Sequence, residues 1–182
     1  MPPCHGGDRG FESHLDRQYR KAFRKELFLC NSEECAGGDR IMNVTFQTNG
    51  NEQDDRAVRV AVFMEEQGFE EEFDAIDSIA VHVTLYVDEE LAGCARMYRD
   101  ANNPFCVHFG RIALFKKYRG LGLGKCLVEK LESLAKESGY QEIELSAQHR
   151  LLRFYEQMGY ETFGKIVYDE GVAHINMRKS IL

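Results

Sequence analysis

Nowhere among its 182 residues does this chain carry an apolar run long enough to span a membrane. Its opening residues show no charged-then-apolar pattern of the secretory kind, so the sequence predicts a cytoplasmic protein without a membrane partner. The paired cysteines of a structural zinc site are missing too. Six cysteines are scattered along the chain. Cys30 and Cys35 stand too far apart for the usual pair, and no second pair follows, so no metal and reduced thiols are expected. A basic excess is absent. Lysine and arginine number 23 against 30 acidic residues, a net charge of -7, and the only basic cluster lies at 17–25. That balance argues against nucleic acid as a partner. There is no internal repeat and no low-complexity tract. What is present is globular: 43% hydrophobic and 29% charged residues, enough for one domain with a sizeable core.

Residues 1–41 differ from the rest. They carry seven basic and seven acidic side chains, which leaves 16 and 23 for residues 42–182, so all the net charge lies there. A helix-like patch at 18–28 and a loop at 31–40 have no core of their own, and this extension is expected to be poorly ordered. Gly7-Asp8-Arg9-Gly10-Phe11-Glu12-Ser13 resembles the peptide made when the T-arm of a transfer-RNA gene is translated. Residues 1–41 are therefore expected to be a gene-calling artefact or a dispensable leader, with Met42 the true start of a domain over 42–182.

From Met42 onward the periodicities are clearer. Alternation predicts strands over 43–47, 80–87, 91–98, 107–115, 142–147, 161–168 and 172–177. A helix is predicted over 55–66, capped by Asp54 or Asp55, and an acidic loop over 68–77 with Glu70-Glu71-Glu72 in solvent. A longer helix over 122–138 carries Leu123, Leu127, Leu131, Leu134 and Ala135 on one face, and Gly139 stops it. A short helix over 150–158 ends at Gly159. The order β-α-β-β-β-α-β-α-β-β predicts an α/β (α+β) domain with helices covering a mixed sheet.

Between the strand at 107–115 and the long helix lies Arg119-Gly120-Leu121-Gly122-Leu123-Gly124-Lys125. Glycines bring backbone N–H groups close to a phosphate, and a helix N-terminus adds partial positive charge. The triphosphate-binding loop fails here: Cys126, not Ser or Thr, follows Gly124-Lys125, and Arg119 stands where its first glycine belongs. The dinucleotide fingerprint fails as well, because the spacing is G-x-G-x-G after an internal strand.

The pattern Arg119-x-x-Gly122-x-Gly124 resembles the acetyl-CoA pyrophosphate loop of the GNAT superfamily of N-acetyltransferases. Arg111-Ile112-Ala113-Leu114 before it and Arg153-Phe154-Tyr155-Glu156-Gln157-Met158-Gly159-Tyr160 after it are similar to the segments that family carries there. Val62-Phe63-Met64-Glu65-Glu66-Gln67, Asp74, Asp77, His82, Ser146-Ala147-Gln148 and residues 168–177 resemble the ElaA-like bacterial subgroup. The likeness covers nearly all of 55–179. It implies a mostly antiparallel central sheet of six to seven strands flanked by about four helices. It also implies direct transfer of an acetyl group from acetyl-CoA to an amine of a small molecule or peptide.

The resemblance assigns roles residue by residue. Arg119, Gly120, Leu121, Gly122, Leu123 and Gly124 would cradle the pyrophosphate, with Lys125 adding charge. Ile112, Ala113 and Leu114 would pair with the pantetheine amides and polarise the acetyl carbonyl. Tyr155 would protonate the leaving thiolate. The base stays open among Glu66, His82, Asp74, Asp77, His174 and a water chain. A non-catalytic acyl-CoA sensor is the alternative reading. Either a monomer or a homodimer paired through the last strands fits the sequence.

Overall fold

Val44, Phe46 and Thr48 turn to the interior while their neighbours face outward, which makes the first strand, β1 (Val44–Thr48). This computed structural model describes residues 42–182, so the expectations for 1–41 lie outside the described residues. Asn51 then caps α1 (Glu52–Arg59) by accepting from Gln53 N at 3.0 Å. The cap precedes the expected Asp54 or Asp55. Those two side chains sit in the first turn, where carboxylates complement the helix dipole. The single helix expected over 55–66 is two: α1 passes into a π-helix over Val60–Glu66.

Seven strands follow one another into one sheet. After β1 come β2 (Val81–Val87), β3 (Glu90–Arg99), β4 (Cys106–Leu114), β5 (Glu142–Gln148), β6 (Glu161–Asp169) and β7 (Val172–Ser180). Their spatial order is β1-β2-β3-β4-β5-β7-β6. Only β4 and β5 run parallel; all other neighbours are antiparallel. The parallel pair is joined by α2 (Leu123–Glu137), the crossover helix such a connection needs. The short α3 (Leu152–Gln157) follows a 3-10 turn over His149–Leu151, so the helix expected at 150–158 is split. The described residues thus hold three α-helices rather than about four.

The expected stripe on α2 is the core. Leu123, Leu127, Leu131, Leu134 and Ala135 are all buried against Val83, Leu85, Met97, Phe109, Ile143 and Leu145. Each such leucine contributes about 1.5–3 kcal/mol by leaving water. On the opposite face, Val58 and Val62 pack on Cys94 and Ala113. The acidic loop is not a solvated one throughout. Glu72 is buried, and a 3-10 turn over Ala75–Ser78 carries a capping box from Asp74 and Asp77. Cys94 and Cys106 are free buried thiols.

Candidate active site

Strands β4 and β5 pair only at their beginnings. The register runs from Cys106 opposite Glu142 to Phe109 opposite Leu145 and then stops. Beyond it β5 stays with β7, and β4 stays with β3. A sheet that parts in its middle leaves backbone donors and acceptors of β4 without a neighbouring strand, an edge inside the sheet. A cleft of ≈ 360 Å³ opens at the fork, lined among others by Phe63, Tyr98, Ile112, Gln148, Tyr155 and His174.

A bulge re-aims β4 where it leaves β5. Arg96 lies opposite Gly110 and Cys94 opposite Ala113, so Arg111 and Ile112 together face Ala95. Arg111 takes φ 52°, a left-handed conformation that an arginine adopts only when its surroundings hold it. They do. Its guanidinium donates to Glu72 O at 3.0 and 3.2 Å and pairs with the Glu72 carboxylate at 2.8 Å.

The glycine turn lies at the other side of the fork. Gly120 and Gly122 both have φ 76°, where side chains with a Cβ are strained, and Gly122 is the N-cap of α2. The first N–H groups of a helix have no intrahelical acceptor, and here Lys125 N is the first to close, onto Gly122 O at 3.0 Å. Arg119 braces the turn. Its Nε donates to Leu114 O at 2.9 Å, and its fork grips both oxygens of Glu66, at 2.5 and 2.8 Å. That grip holds the Glu66 carboxyl below its ordinary range. The sequence presents Glu66 and Arg119 as separate functional residues; the fold makes them one pair.

Tyr155 comes into the fork from α3. It is 5% exposed, with its ring edge-on to Phe154 and Tyr160 at 4.9 and 5.7 Å between centroids. Burial pushes its phenol above the ordinary value, so it stays protonated. Among the described residues no group bonds to its hydroxyl.

The remaining base candidates separate. His82 lies outside this cleft, in a hollow of ≈ 550 Å³ with Asp55 and Asp77. Burial disfavours its charged form, but the Asp55 carboxylate at 3.2 Å and the Asp77 carbonyl at 3.0 Å outweigh that and raise its pKa. Asp74 binds Arg96 through both oxygens at 2.8 and 2.7 Å, which is the main cause of its lowered pKa. Asp77 is half-buried, which alone would raise it; hydrogen bonds from Arg59 and Arg96 drive it well below the carboxylate range. His174 does line the cleft. Its Nδ1 lies 2.9 Å from Val172 O, and a carbonyl only accepts, so Nδ1 donates.

One wall had little sequence signal. Arg59, 1% exposed, binds Asp55, Glu72 and Asp77 at 3.1, 2.8 and 2.7 Å. Arg96 and Arg111 extend the network to Asp74. The i,i+4 spacing of Asp55 and Arg59 was the one visible hint.

A parted sheet, a bulged strand and a glycine turn at the head of a crossover helix thus meet around one cleft. Residues 48–181 match the family described as Acetyltransferase (GNAT) domain, and the chain belongs to that family and is an acyltransferase. A Bacillus subtilis (strain 168) protein named as an acetyltransferase is 35% identical over 130 residues, 67% of this chain and 84% of that one. Among solved structures, an N-acetyltransferase by name from Lactobacillus plantarum superposes with a TM-score of 0.69 at 29% identity, over 79% of this chain and 100% of that one. Escherichia coli ElaA shares the fold, with a TM-score of 0.67 at 24% identity over 75% and 99%.

Proposed function

We propose that this protein transfers the acetyl group of acetyl-CoA directly to a primary amine of a small molecule or peptide within a ternary complex. The observation that carries the reading is the fork between β4 and β5. Its free strand edge at Ile112–Leu114 suits the pantetheine amides, and the glycine turn Arg119–Gly124 suits the pyrophosphate, with Lys125 beside it. In this reading Glu66 holds Arg119 in place and His82 anchors the charged wall. His174 Nε2 accepts the proton of the amine, whose lone pair adds to the thioester carbonyl. Backbone N–H groups at the β4 bulge stabilise the oxyanion. Collapse of the tetrahedral species breaks the carbon–sulfur bond, and Tyr155 gives its proton to the leaving thiolate.

A panel of small amines and peptides, followed by release of free CoA thiol, tests it. Acetyl-CoA should raise the melting temperature, and at least one amine should drive thiol release. No thermal shift at millimolar acetyl-CoA sinks the donor assignment. A shift without release from any amine favours a binding module and sinks the transfer.

A further inference from the structure

Where β4 and β5 are still paired, beside the cleft, lie three side chains of metal-ligating type unused by acetyl transfer. Cys106 and His108 alternate on one face of β4, and the parallel register sets Glu144 opposite His108. One ligand atom from each lies within 4.8 Å of the others. His108 Nδ1 is 4.0 Å from Glu144 Oε2, while its Nε2 is 2.6 Å from Asp100 Oδ2.

That second contact sets the ring. A carboxylate accepts, so Nε2–H donates to Asp100 and Nδ1 is the ring nitrogen left for a metal. Asp100 is itself fixed by N–H groups of Asn102 and Asn103, both at 2.7 Å. Tyr98 stacks on the imidazole with centroids 5.1 Å apart. An imidazole oriented by a carboxylate, a thiol and a second carboxylate are all ligand types that zinc takes.

We propose that Cys106, His108 and Glu144 bind a zinc-class divalent cation whose fourth position opens on the cleft. The opening follows because His108 and Glu144 line the cleft while Cys106 is buried behind them. Tetrahedral zinc bonds of about 2.0–2.3 Å place ligand atoms roughly 3.3–3.8 Å apart, so side-chain rotations of about 1 Å close the site. Burial first, then the carboxylates of Glu144, Glu142 and Asp100, push the Cys106 thiol up to about 12. A divalent cation reverses that field. Binding forms the metal–sulfur bond and releases the thiol proton to solvent.

The test is titration of the chelator-treated full chain with cobalt(II). A near-ultraviolet thiolate-to-cobalt band should grow to one cobalt per chain and disappear on adding zinc. Cys106→Ser and His108→Ala should each abolish it, and Asp100→Asn should weaken binding about 10–100-fold. His108→Ala keeps every cysteine, so a band arising from other thiols would persist there. No band, or a band that survives either substitution, overturns the proposal. Circular dichroism checks that each variant folds. If Cys106→Ser does not fold, Glu144→Gln replaces it, with the band retained and affinity reduced at least about tenfold; unchanged affinity counts against the site.

Discussion

The glycine turn before α2 and the charged wall beside α1 support the same strand, β4, by different means. The turn offers backbone. Gly120 contributes conformation rather than contacts, and an ideal Cβ on it would meet nothing within 4 Å. The wall is made of side chains, with Arg59, Arg96 and Arg111 tied to Asp55, Glu72, Asp74 and Asp77. Backbone can face a ligand without desolvating a charge. A buried guanidinium is tolerable only while its carboxylates stay in place. The turn should therefore yield under binding assays, and the wall under stability assays.

Breaking the wall should produce the largest effect. Arg59→Met leaves three carboxylates short of their partner and should cost about 3–5 kcal/mol in denaturant unfolding. A loss under about 1 kcal/mol would mean that the network relaxes and does not brace the bulge. Next comes chemistry. Tyr155→Phe should lower kcat at least about 10²-fold, with the acetyl-CoA KM and the melting temperature nearly unchanged. Unaltered turnover would remove Tyr155 from the mechanism.

Gly122→Ala sharpens the contrast. A Cβ at φ 76° costs about 1–2 kcal/mol locally. The acetyl-CoA KM should rise while the amine KM stays put. Equal changes in both would show that the turn serves the whole cleft. Glu66→Gln loosens an exposed pair and should cost under about 1 kcal/mol, with a small rise in the acetyl-CoA KM. A kcat loss near 10²-fold would restore Glu66 as the base.

The pH profile probes the same wall. The pKa of Asp77 is depressed in the folded protein, so its contribution is complete above the unfolded aspartate value of about 3.9 and fades as pH falls below it. The pKa of His82 is raised, so its contribution is complete below the unfolded value of about 6.5 and fades as pH rises past the folded value. Unfolding free energy should decline on both sides. Asp77→Asn should flatten the acid side, and an unchanged acid slope would contradict the assignment.

Local chemistry is legible in the order of residues alone. The leucine stripe of α2 occurs at helical spacing, and all of its members are buried. The seven strands follow from alternation and turn residues, and Gly139 and Gly159 punctuate helices at positive φ. The π-helical end of α1 is not legible, because a widened turn has no compositional mark. Nor is the burial of Glu72, since an acidic run reads as solvated until the arginines that meet it are known.

The sequence by itself determined the strands, the α2 face of the core and the glycine turn, because each depends on neighbours within a few residues. Tertiary structure alone decided that β4 parts from β5 after Phe109, that Arg119 grips Glu66 53 positions away, and that Cys106, His108 and Glu144 converge. Those outcomes depend on strand register and on pairing between distant charges. Neither leaves a periodic trace in the chain.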